Sequence, residues 1–173
     1  MTLNEKTDNR LEELSGSDFE MADEQPDIVG WEVFDAAGDY IGDVDDLIFD
    51  RESLKVRYVL VDFEEDLGTE HPKSRHVLLP IGLVTLDEKE EEVILTEAIA
   101  SDVFFLPTYK KGNISPAQEV QIRNVLTHSS TDESHVAAYD QQTNDFYEHP
   151  HFDDTGYEKY PAGRDGLDKG KII

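Results

Sequence analysis

The chain has 173 residues, with 40 Asp and Glu against 15 Lys and Arg and a formal net charge of −25 at pH 7. That length suits one domain with flanking segments, and so acidic a surface repels phosphate backbones. The basic pairs Lys55/Arg57, Lys73/Arg75 and Lys110/Lys111 each stand beside acidic neighbours, so direct nucleic-acid binding is not expected. The lack of cysteine excludes disulfides, thiolate metal sites and cysteine nucleophiles. No run approaches the roughly 18 to 20 apolar residues of a membrane span, and the chain reads as soluble and cytoplasmic.

Residues 1–27 hold nine acidic and two basic residues with few large apolar side chains, which predicts a disordered arm. Residues 28–34 are β-branched and aromatic and predict a strand, closed by a turn at 35–39 in which Gly38 supplies the positive φ. The run 40–50 mixes apolar residues with aspartates, and Gly42-Asp43 suits a bulge or bend. Residues 56–63 are apolar on both faces, as in a strand covered on both sides or closed into a barrel. After a polar loop, residues 76–79 form a further strand, with Pro80 marking a strand end or edge, and 83–86 with 93–95 read as a hairpin around an acidic turn.

About six short strands this closely spaced leave no room for βαβ crossovers, which predicts a mainly β fold, a small antiparallel barrel. Thr96 is placed to cap a short helix through Val103, with Phe104, Phe105 and Leu106 tucking it against the barrel before Pro107. Ser115-Pro116-Ala117-Gln118 offers a serine cap, a proline in the first helical position and a glutamine three residues on, predicting a helix to about Leu126. The expected layout is an arm over 1–27, a barrel over 28–106, a linker and helix over 107–126, and a polar, aromatic tail over 127–173. Tyr139, Phe146, Tyr147, Phe152, Tyr157 and Tyr160 are spaced as in a tail that lies on a surface or stays mobile.

Candidate chemistry centres on Glu148-His149-Pro150-His151-Phe152-Asp153-Asp154, where His149, His151 and Asp153 could hold zinc or nickel. Against that, a proline-interrupted tail offers no rigid frame of its own, and a solvated tail is the plainer reading. The aspartates at 39, 43, 45 and 46 could draw calcium but lack the spacing of a calcium loop, so turn chemistry and a solvated face account for them. His71, His76, His128 and His135 are scattered, and Trp31, Phe34 and Tyr58 are needed first as core volume. No G-x-S-x-G elbow and no glycine-rich phosphate loop occurs, so neither enzymatic activity nor a cofactor is expected.

The order Gly30-Trp31-Glu32-Val33, then Gly38-Asp39-Tyr40-Ile41-Gly42-Asp43-Val44-Asp45-Asp46-Leu47-Ile48-Phe49-Asp50, then Val56-Arg57-Tyr58-Val59-Leu60-Val61-Asp62 and His76-Val77-Leu78-Leu79-Pro80, resembles the PRC-barrel family over residues 28–106. The resemblance implies a strongly bent barrel used for protein contact, sometimes as a homo-oligomer, without catalytic residues. It also implies two further readings. One is an accessory subunit near a photosynthetic reaction centre and its electron transport, after the H subunit whose cytoplasmic domain names the family. The other is the stress-related role guessed for stand-alone bacterial members with similar tails. The expectation is a non-catalytic interaction or assembly module with a protein partner or a second copy of itself, with metal binding by the tail as the rival.

Overall fold

The computed structural model describes residues 10–22, 25–65, 70, 73–99, 101–112, 114–127, 147, 150–152 and 171–172. Their strands, in chain order, are β1 (Leu11–Glu13), β2 (Glu20–Met21), β3 (Glu32–Phe34), β4 (Tyr40–Asp50), β5 (Lys55–Glu64), β6 (Ser74–Pro80), β7 (Val84–Asp87), β8 (Glu92–Leu95) and β9 (Lys171–Ile172), with one α-helix, α1 (Pro116–Thr127).

The long strands arise where β-branched and aromatic residues are densest. In β5, Val56, Tyr58, Val59, Leu60, Val61 and Phe63 are all buried, so both of its faces are covered. Hydrogen-bonded strands run in the order β6-β5-β4-β3-β8-β7, with β1 added to β4 beside β3. The sheet therefore curls into a half-barrel whose two ends are β6 and β7. Pairing is antiparallel within this sheet except between β3 and β8, which run parallel through Val33 and Val93, a departure from the all-antiparallel expectation. Curvature comes from register shifts in the β4–β5 ladder that leave Asp45 and Arg57 as extra residues. Gly42 sits where the two strands press together, since a Cβ there would lie 2.2 Å from the Asp62 carbonyl oxygen.

Several expectations need correction. The strand expected over 28–34 is confined to β3, because Gly30 takes a φ of +87° and residues 28–31 close a turn in which Trp31 N–H donates to the Ile28 carbonyl. Residues 10–22, read as part of a disordered arm, lie on the sheet instead: β1 pairs with the end of β4, and Phe19 packs on Phe49 at 5.0 Å between ring centroids. Short-range composition does not anticipate this, because the partners are some forty residues away in sequence. The Thr96-capped helix is replaced by two 3-10 turns, Glu97–Ile99 and Asp102–Phe105, and the Thr96 hydroxyl is buried with no hydrogen-bond partner.

Other elements match the expected chemistry. Pro80 ends β6 and hands over to the 3-10 turn Ile81–Leu83. Ser115 caps α1 through its Oγ, which accepts from Gln118 N–H at 3.2 Å, and Pro116 is the first helical residue. The Gln118 amide does not complete a capping box; it donates to the Thr108 carbonyl and ties the helix to the preceding loop.

Candidate interaction site

Three clusters of side chains lie on this half-barrel. The first is built by the turn Asp102–Phe105. A 3-10 turn repeats every three residues, so Val103 and Leu106 share its inner side and are buried, while the two residues between them face outward. Phe104 is accordingly 54% exposed and Phe105 74% exposed, against the expectation that both tuck under the turn. Arg75 braces the turn: its guanidinium donates to the Leu106 carbonyl at 2.6 Å and the Phe104 carbonyl at 2.8 Å, and its Nε pairs with Glu65. The Phe104 ring meets Phe63 edge-on at 5.2 Å, with the Arg75 guanidinium 5.5 Å from the Phe63 centroid. The two phenyl rings therefore form a ledge whose backbone is held from behind.

The second cluster is charged and buried. Asp50 has no exposed surface and accepts from Arg10 Nε at 2.8 Å, from Arg57 Nη2 at 3.4 Å and from Glu52 N–H at 2.9 Å, while Arg10 Nη2 pairs with its other oxygen at 2.6 Å. Burial alone pushes this carboxyl up, but the hydrogen bond from Arg10, with those from Glu52 and Ser53 and the Arg10 charge, brings it down to about 2. Asp46, expected on a solvated face, is only 3% exposed. It accepts from the backbone N–H and hydroxyl of Ser15, because residues 10–22 cover that part of β4, and from Leu47 N–H. Asp43 and Asp45 keep the expected surface role, bonded to the Tyr40 hydroxyl and to His76 Nε2.

The third cluster joins α1 to the barrel. Glu119 is 2% exposed, and its Oε1 accepts from the Tyr58 hydroxyl at 2.9 Å and the Tyr147 hydroxyl at 2.8 Å. The Arg57 guanidinium lies over the Tyr147 ring at 4.3 Å, and Phe152 meets Tyr58 and Tyr147 edge-on at 5.3 and 5.0 Å. A cavity of about 390 Å³ is lined by Leu11, Glu13, Arg51, Tyr109, Lys111 and Ile114 among others. There Glu13 accepts from the Tyr109 hydroxyl and pairs with Lys111; burial, then the bond to Glu13, pushes the Tyr109 phenol well above its usual range.

Residues 22–103 match the model of the PRC-barrel domain. This chain carries a PRC-barrel domain. The match takes in β3 to β8 of the curled sheet and the arginines and tyrosine at 57, 58 and 75, but stops short of Phe104 and Phe105. Arg10, Glu119, Tyr147 and Phe152 also lie outside it, so all three clusters are completed by residues that flank the PRC-barrel segment. No curated protein matches the chain. Of the residues expected to hold a metal, His151 lies in the turn Pro150–Phe152, half-buried, while His149 and Asp153 fall outside the described residues. No group of three potential ligands comes together among the described residues. Nor does any helix among them have the length and apolarity to cross a membrane.

Sequence reasoning missed the Phe104–Phe105 ledge, and one signal was available. A short turn reads every third residue inward, so in Val103-Phe104-Phe105-Leu106 it cannot hide all four side chains.

Proposed function

We propose that this PRC-barrel protein is a non-catalytic interaction module that self-associates, with the Phe104–Phe105 ledge at the contact. The observation that carries it is the pair of large aromatic side chains held out to solvent by a turn whose carbonyls are fixed by Arg75. Burying a phenyl ring from water contributes about 1.5 to 3 kcal/mol, and a preformed ledge spends little of that on ordering. A formal charge of −25 on each copy opposes association, and salt screens that repulsion. Association should therefore strengthen with ionic strength. Sedimentation velocity at rising protein concentration, in 20 mM and 500 mM salt, tests this. The wild type is expected to dimerise more readily in high salt, and the Phe104→Ser/Phe105→Ser variant to stay monomeric. A wild type that is monomeric under every condition would overturn self-association.

A further inference from the structure

The Tyr58–Glu119 cluster has the form of a filled binding groove. Its floor comes from β5 (Arg57 and Tyr58), α1 (Glu119) and the turn after β6 (Gly82), all of them built by residues between 57 and 119. What fills it, Tyr147 with Pro150–Phe152, belongs to a much later stretch of chain. The fit is made side chain by side chain. The Tyr147 hydroxyl reaches the buried Glu119 carboxylate at 2.8 Å. Its ring covers the guanidinium of Arg57, whose Nε has no hydrogen-bond partner and takes an aromatic face in its place. Phe152 stands edge-on to Tyr58 at 5.3 Å. Between them the backbone of Pro150 and His151 lies so close over Gly82 that a Cβ there would be 2.4 Å from the Pro150 carbonyl oxygen.

Each contact selects something. The carboxylate favours a tyrosine over a phenylalanine, because the hydroxyl adds a hydrogen bond beside the one from Tyr58. The glycine asks for a backbone pressed flat against the turn. The tyrosine of the floor offers an edge-on partner to a second aromatic five residues on. Aromatic and proline anchors at fixed spacing are how short segments are recognised on a preformed surface.

We propose that this groove is a peptide-recognition site for segments of the pattern Tyr-x-x-Pro-x-Phe, with the chain's own Tyr147–Phe152 as its resident ligand. The resident segment is tethered, so its effective concentration is on the order of millimolar and it competes with any ligand offered from outside. It keeps the Arg57 guanidinium and the Glu119 carboxylate covered. The groove uses none of the residues of the Phe104–Phe105 ledge, so the two sites stand or fall separately.

A fluorescent synthetic peptide with the sequence of residues 145–154, titrated with the full-length protein and read by anisotropy, tests the proposal. The Tyr147→Ala/Phe152→Ala protein, its own segment disarmed, should bind the peptide saturably and at least tenfold more tightly than the wild type does. The single variant Tyr147→Phe should fall between them, because it loses the bond to Glu119 and keeps the ring. A labelled peptide carrying the same Tyr→Phe change should bind the double variant several-fold more weakly. Absence of saturable binding by a double variant whose circular dichroism matches the wild type overturns the proposal. Should the double variant not fold, Tyr147→Phe decides: peptide binding no tighter than that of the wild type overturns it as well.

Discussion

Replacing Asp50 by Asn keeps the shape of the side chain and removes its charge, so the effect can be worked from the carboxylate's own titration. Asp50 is wholly buried, and folding lowers its pKa from 3.8 to about 2. That difference corresponds to about 2 kcal/mol of folding free energy at neutral pH. Leaving Arg57 buried beside a neutral amide puts the expected loss for Asp50→Asn at roughly 2 to 3 kcal/mol. The sign with pH follows from the depressed folded-state value: the stabilisation is complete above the unfolded carboxyl's 3.8 and is lost as pH falls through about 2. Roughly half of it should be gone by pH 3. Urea titrations of wild type and variant at pH 7 and pH 3, followed by the fluorescence of the single tryptophan, Trp31, measure the gap at each pH. Taking the difference between the two proteins cancels most of the relief of repulsion among the other carboxylates as they protonate. The gap should shrink by about 1 kcal/mol between the two pH values. A gap of equal size at both would refute the assignment of Asp50 as an ionised hub for Arg10 and Arg57.

Gly42→Ala should cost about 3 kcal/mol in thermal melts, since its Cβ meets a backbone carbonyl rather than a side chain that can move; Gly16→Ala, with nothing within 4 Å of the new atom, should change stability by no more than a few tenths. Gly82→Ala should leave the sheet intact and raise hydrogen exchange at His151 and Phe152, because the added methyl falls on the Pro150 and His151 backbone; unchanged protection there would show that this contact does not hold the segment. Thr96→Val removes a buried hydroxyl that has no partner, and should be neutral or stabilise by up to about 1 kcal/mol in urea titrations; a loss of that size would mean the hydroxyl is satisfied in solution.

The long strands were legible because Val56-Arg57-Tyr58-Val59-Leu60-Val61 carries its β preference in adjacent residues, and α1 because Ser115-Pro116 marks a helix start within two positions. Pro80 could be placed at a strand end or edge from its missing N–H alone. What could not be read are pairings between distant segments. Arg10 and Asp50 are forty residues apart, and nothing near either says that one neutralises the other. The same distance hid β1, whose acidic composition argues for solvent until β4 is there to receive it. Glu119 looks like an ordinary exposed helix charge in Ala117-Gln118-Glu119-Val120, and only the arrival of Tyr58 and Tyr147 makes it a buried acceptor. Aromatic spacing in the tail suited either contact with a surface or mobility, and the surface that Tyr147 and Phe152 meet is assembled from the sheet and α1 and has no local signature.

Parallel alignment of β3 with β8 bears on how the chain reaches its native state. Val33 and Val93 become neighbours only after everything between them has been arranged, whereas β4, β5 and β6 can zip together through nearby turns. Closing so wide a loop is entropically slow, so the β4–β6 meander should nucleate and the β3–β8 seam should seal last. Until it seals, strand edges of an intensely acidic chain stay open, and their mutual repulsion gives the nascent protein its own protection against clumping.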